Sequence, residues 1–170
     1  LSWGISLPDE KPVFDLPVLQ WLTADPWQAC WQPDRLASIT LTSGSSGTPK
    51  AAVHACAAHL ASAAGVLSTL QSAANDRWLL SLPLFHVSGQ GIFWRWLQVG
   101  GGLTVKPDLA LADALQGCTH ASLVPTQLWR LLEQQQEFTL REVLLGGATI
   151  PVALTQQATA AGLACWCGYG

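Results

Sequence analysis

At 170 residues the chain has room for one compact domain or a piece of a larger one, and its length argues against two independent domains. It is 49% apolar and only 11% charged, so it carries more core than it can wrap, and part of its apolar surface is expected to face protein outside this sequence. A net charge of −3 with no cluster of Lys or Arg argues against a nucleic-acid or anionic-lipid surface, and the longest apolar runs, such as Ile92 to Leu97 with Arg95 inside it, fall far short of the roughly 20 residues of a membrane span.

The first 35 residues, punctuated by Pro8, Pro12, Pro17, Pro26 and Pro33, predict irregular chain or a linker. From Leu36 the pattern changes. Leu36 to Thr42 reads as a strand and Ala51 to Ala55 as its hairpin partner across a Gly/Ser/Thr/Pro loop. Ala57, Leu60, Ala61, Ala64 and Leu67 then follow helical spacing up to about Leu70. Further strands are predicted at Trp78 to Leu82, Leu103 to Lys106, Ala121 to Val124, Val143 to Leu145 and Leu163 to Cys167. Helices fill the gaps: Gly91 to Val99, Leu109 to Gln116 behind Asp108 as N-cap, Thr126 to Gln135, and Val152 to Ala161 behind Pro151. Short apolar strands alternating with helices call for an α/β fold, a layered and mostly parallel sheet flanked by helices, running from residue 36 to residue 170. Ligands of such sheets gather at the carboxyl ends of the strands.

Five cysteines, Cys30, Cys56, Cys118, Cys165 and Cys167, form no C-x-x-C pair and have no His at zinc-ligand spacing, which predicts reduced thiols and a cytoplasmic protein. Cys165 and Cys167 share one face of a strand and read as buried thiols. The chain contains no Met, Leu1 included, and no signal-peptide pattern, so a segment of a longer protein is expected.

The most specific stretch is Leu41-Thr42-Ser43-Gly44-Ser45-Ser46-Gly47-Thr48-Pro49-Lys50. Its two glycines let backbone N–H groups turn inward as an anion nest, its hydroxyls add donors, and Lys50 adds a mobile charge, a combination suited to a polyphosphate. Gly44 and Gly47 are too close for a Walker A loop, and Ala51 stands where that loop needs a hydroxyl. Thr48 likewise breaks the nucleophile-elbow pattern. A flexible Gly/Ser linker is the bland alternative.

This string resembles the signature loop of the adenylate-forming superfamily of acyl- and aryl-CoA ligases, luciferases and peptide-synthetase adenylation domains. Leu82-Pro83-Leu84-Phe85-His86 resembles its second motif, Leu145-Gly146-Gly147-Ala148 its adenine-side loop, and Gly168-Tyr169-Gly170 the start of G-Y-G-x-T-E. Finer similarity, in Leu80 to Gly91, Trp94-Arg95-Trp96, Cys118 to Leu132 and Val143 to Pro151, is to the 2-succinylbenzoate-CoA ligases of menaquinone biosynthesis. The resemblance implies ATP-dependent conversion of an aryl acid to an acyl-adenylate and then to a coenzyme A thioester, with magnesium. It implies that Thr42, Ser43, Gly44, Ser45, Ser46, Gly47, Thr48 and Lys50 cradle the β- and γ-phosphates, that Gly147 and Ala148 line the adenine, and that Tyr169 stacks on it. His86 falls at the catalytic gate position beside the acyl group. The family's Thr-Glu, ribose-binding Asp, hinge and catalytic Lys are not in the sequence, so no metal ligand is expected within it, and the fragment alone is expected to be inactive. The expected partners are the aryl acid, ATP and coenzyme A, with a homo-oligomer left open and neither nucleic acid nor membrane. Another aryl or acyl acid, or a nucleotide-binding module without chemistry, stays open as an alternative, as does a drifted P-loop kinase, which would place Lys50 at a helix N-terminus.

Gly91 to Val99 is apolar on most sides and predicts a buried helix, along which Ser88, Gly91, Arg95 and Gln98 make one small and polar stripe. An arginine there needs an anion. Two are open: a structural Asp or Glu, or, as the resemblance suggests, a distal substrate carboxylate, with Ser88, Gly91, Arg95 and Ser122 lining its pocket. Ser122 could instead bond its own backbone. His54, His59 and His120 read as structural.

Overall fold

The computed structural model describes residues 32–42, 50–134 and 139–168, all within one unit that runs from Gln32 to Gly170. The expectations for residues 1–31, for Cys30, and for the helix end at Gln135 lie outside these residues.

Strand β1 (Leu36–Thr42) pairs antiparallel with β2 (Lys50–Ala55), as the two apolar runs predicted, with Thr42 opposite Lys50 at the mouth of the connecting loop. Helix α1 (Cys56–Thr69) follows without a break. Its buried residues are His59 and Ala63, so the buried face is rotated from the predicted stripe, whose Ala61 and Ala64 are exposed. The helix is alanine-rich nearly all round, and spacing alone does not select one face.

Then come β3 (Arg77–Leu79), α2 (Val87–Val99), β4 (Gly102–Thr104), α3 (Leu111–Ala114), β5 (His120–Leu123), α4 (Pro125–Glu133), β6 (Glu142–Leu145), α5 (Val152–Ala160) and β7 (Ala164–Cys167). The five strands form one sheet in the order β4-β3-β5-β6-β7, and every pairing is parallel. All four residues of β5 are buried, as a strand covered on both faces requires. Gln127 secures the start of α4 by accepting the Val124 N–H at 2.9 Å, and Pro125 occupies the first helical turn, where its missing donor costs nothing.

Three predicted elements change. The strand from Trp78 ends at Leu79, because the chain turns away through Pro83. The helix predicted from Leu109 shrinks to Leu111–Ala114 behind Ala110, so Asp108 does not cap it. Helix α2 begins at Val87 rather than Gly91, with His86 as its N-cap residue, and it buries only Gly89, Ile92 and Arg95, while Phe93 and Leu97 stay exposed. Gly89 has a packing reason: a Cβ there would lie 2.1 Å from the Pro83 carbonyl oxygen, so only glycine lets the helix approach that turn.

Neighbouring residues of a strand point to opposite faces, which divides the core. Trp78 packs with Leu70 and Ile92 on the α1 and α2 side, whereas Leu79, Ala121, Leu123, Val143 and Leu145 pack with Leu128, Leu131 and Leu154 on the other. Strand β3 has β4 on one side and β5 on the other, so the chain reverses direction across the sheet there. The carboxyl ends of β3 and β5 flank that switch point, the usual place for a ligand crevice in such sheets.

Candidate functional site

Side chains meet at the switch point. Ser122, on β5, faces the α2 side of the sheet, and Arg95 of α2 donates from Nη2 to its Oγ at 2.9 Å. The Ser122 carbonyl in turn accepts the hydroxyl of Ser81, which follows β3. Arg95 is 6% exposed, and among the described residues it forms no ion pair. The structural Asp or Glu considered for it is therefore absent there, and Ser122 bonds Arg95 instead of its own backbone. Nε of Arg95 is buried without a partner, and Nη1 has no hydrogen bond among the described residues. Burial lowers the pKa to about 10, so the group stays cationic at neutral pH. The Trp78 ring stands where a counter-ion would, its centroid 4.8 Å from Cζ.

Gly91, one turn before Arg95, adds space: a Cβ there would sit 3.7 Å from Nη1. Ser88 lies a further turn back and is exposed. The predicted stripe thus holds on α2, but only Gly91 and Arg95 are brought together with Ser122. His86 is exposed, its ring 5.4 Å from that of Phe85, and its backbone N–H donates to Pro83 O at 3.1 Å.

Glycine turns follow β6 and β7 at the same end of the sheet. Gly146 N–H donates to Leu123 O at 3.3 Å and Gly168 N–H to Leu145 O at 2.8 Å. Gly147 has φ +79°, a conformation that disfavours any side chain, and Ala148 beside it is exposed. Tyr169 lies outside the described residues, as do Ser43, Gly44, Ser45, Ser46, Gly47 and Thr48 of the predicted phosphate loop.

The two residues that bracket that loop are described. Thr42 donates from Oγ1 to the Lys50 carbonyl at 3.1 Å, and Lys50 is the first residue of strand β2 and exposed. A lysine on a hairpin strand is not the lysine of a P-loop kinase, which opens a helix. The hairpin presents Leu36, Ile39, Leu41 and Val53 outward and turns polar Ser38 and Thr40 inward. It is seated by His59, whose Nε2 is 2.8 Å from Ser38 Oγ and whose ring stacks on Trp94 of α2 at 5.0 Å. Burial, and then His54, hold the pKa of His59 below its usual value.

Sequence reasoning missed Ser81 and Trp78. A tryptophan in a strand followed by a helix that buries an arginine was the available signal for Trp78. It also misplaced the cysteine pair: Cys167 is exposed and Cys165 only half-buried, because β7 is the last strand of the sheet. Among the described residues no three His, Cys, Asp or Glu gather as a metal site, and no helix is long and apolar enough to cross a membrane.

Residues 5–170 match the family of AMP-binding enzymes. The chain is 58% identical over its whole length to a 2-succinylbenzoate–CoA ligase of Salmonella typhimurium, of which it covers 38%. It is 64% identical, over 84% of its length, to the enzyme of the same name from Escherichia coli, of which it covers 32%. A solved structure of an E. coli MenE variant with bound OSB-AMS superposes with a TM-score of 0.80 at 63% identity, covering 84% of this chain and 31% of that one. The chain therefore spans about a third of the length of the relatives it matches.

Proposed function

Because the chain belongs to the AMP-binding enzyme family, we propose that it forms part of the ATP and acid sites of a 2-succinylbenzoate–CoA ligase. The carrying observation is the buried Arg95 at the switch point, bonded to Ser122 and, among the described residues, lacking a carboxylate partner. A succinylbenzoate has two carboxylates. One attacks the α-phosphorus of ATP and expels pyrophosphate; the thiol of coenzyme A then displaces AMP to give the thioester. The second carboxylate must be buried in an aryl pocket, which is costly unless donors meet it. Arg95 supplies a charged edge, the Ser122 hydroxyl still has its own proton to donate, and Gly91 leaves room. Ser88 lines the approach along α2, and His86 stands at the head of that helix beside the acyl group.

On the nucleotide side, residues 42–48 and Lys50 hold the β- and γ-phosphates, and Gly147, Ala148 and Tyr169 hold the adenine. Donors preset around a charge-rich transition state supply the catalysis. The described residues do not by themselves assemble a magnesium site. The test is pyrophosphate release by the full-length protein with a panel of aromatic acids. Succinylbenzoate is expected to be the preferred acid, and Lys50→Ala to slow adenylation by about 30- to 100-fold, the loss of a charged hydrogen bond. Equal rates with monocarboxylates, or unaltered release by the lysine variant, would overturn the assignment.

A further inference from the structure

The guanidinium of Arg95 meets two kinds of group, a hydroxyl and an aromatic ring. It gives one N–H to Ser122 and, among the described residues, keeps Nε and Nη1 without partners, while its Cζ lies over the Trp78 ring, 4.8 Å from the centroid. Trp78 is fully buried in β3, packed with Leu70 and Ile92, and meets the His120 ring on β5 at 4.9 Å, so its position is fixed on several sides. A carboxylate in the place of Trp78 would hold the arginine equally well, but it would neutralise the charge and occupy its N–H donors. An aromatic face attracts the cation through its quadrupole and leaves the in-plane N–H donors unused.

The acidic residue nearest to Trp78 in sequence, Asp76, is bound elsewhere. It faces the amino ends of the strands, where it accepts from Arg141, from Thr119 at 3.2 Å and from the Ala73 N–H at 2.9 Å. Two residues further along the chain, at Trp78 in the middle of β3, the cation is met by a ring and, among the described residues, not by an anion.

We propose that Trp78 is a specificity-positioning residue, holding Arg95 in place without quenching its charge so that the site selects acids carrying a second carboxylate. This rests on the reading of Arg95 as the group that meets the distal carboxylate. Trp78 touches no substrate in this scheme; it acts through Arg95.

The distinguishing measurement is the ratio of kcat/KM for succinylbenzoate to that for a monocarboxylate analogue lacking the distal acid, in the full-length enzyme. A core residue that merely supports the fold lowers both values together and leaves the ratio alone. Trp78→Phe, which keeps an aromatic face but a weaker one, is expected to lower the ratio by about 3-fold, and Trp78→Leu by about 10-fold, with the KM for ATP unchanged. In an Arg95→Met background Trp78→Phe should no longer move the ratio. If the ratio collapses with Arg95→Met but stays at its wild-type value with Trp78→Phe, the role given to Trp78 is wrong and the acid site stands. An unmoved ratio in Arg95→Met itself overturns both. Trp78→Phe retains most of the buried volume, so the test holds even where Trp78→Leu fails to fold.

Discussion

The two ends of the parallel sheet treat buried charge in opposite ways. At the amino ends of β3, β5 and β6, Asp76, Thr119 and Arg141 close a network. Asp76 is 4% exposed, and both its oxygens accept hydrogen bonds, from Arg141 and Thr119 on one side and from the Ala73 N–H on the other. At the carboxyl ends, Arg95 is as deeply buried but has, among the described residues, one hydrogen bond, an aromatic ring and no anion. A satisfied network fixes strands relative to one another; an unsatisfied cation waits for something outside the chain. The difference separates the end that stabilises the fold from the end that binds.

The largest effect expected from breaking this contrast is on stability. Removing the acceptor with Asp76→Ala leaves the Thr119 hydroxyl, the Ala73 N–H and Arg141 without their partner. Arg141 is largely exposed and recovers water, so most of the loss comes from the Thr119 hydroxyl and the Ala73 N–H, both bonded in part-buried surroundings, about 2 to 3 kcal/mol in all. Thermal and urea unfolding of the full-length protein should show it, while KM for the acid stays unchanged in the surviving native fraction. A variant as stable as wild type would remove the structural role given to this end.

At the other end, the sign reverses. Arg95→Met removes a desolvated cation that no anion compensates and puts an apolar side chain of similar length over Trp78. Stability should hold or rise, as it often does when buried charges are replaced by packed apolar groups. Activity should not hold: kcat/KM for succinylbenzoate is expected to fall about 100-fold, near 3 kcal/mol, with little change for the monocarboxylate. If Tm drops by several degrees and both acids suffer alike, Arg95 belongs to the core.

How legible these ends were in the sequence follows from the range of the interactions. Strand and helix alternation is local, and it located the elements and the hairpin of Lys50 to within a few residues. Gly91 and Arg95 came from spacing along one helix and Ser122 from its place near a strand end, with the resemblance behind all three, and the contact at 2.9 Å joins Arg95 to Ser122. What could not be read is who meets whom across the sheet. The Trp78 ring reaches Arg95 only because β3 and α2 pack face to face, and Asp76 reaches Arg141 only because β3, β5 and β6 lie side by side. The buried face of α1 escaped for a different reason, since an alanine-rich helix carries no periodic signal.

The smallest expected effect sharpens the comparison through pH. His120, 1% exposed, lies 2.8 Å through Nδ1 from Thr119 Oγ1, and its Nε2 is buried without a partner. The arrangement that lets Thr119 donate to Asp76 has the histidine proton on Nδ1 and Nε2 bare. A second proton on Nε2 would be a buried donor with no acceptor. Burial accordingly lowers the pKa below 6.5, against the opposing pull of Asp76 and Glu142. With the folded value depressed, the unfolded chain binds more protons on falling pH. The contribution of His120 is therefore complete above about pH 6.5 and is lost as the pH drops through and below that value. His59, depressed for the same first reason, adds in the same direction. His120→Asn keeps a donor for Thr119 with nothing to titrate, so the slope of unfolding free energy between pH 7 and pH 5 should become shallower. Over the same range the preference for the second carboxylate should not change on account of Arg95, which at about 10 stays charged throughout. A slope untouched by His120→Asn would mean that the amino-end network does not read pH through this histidine.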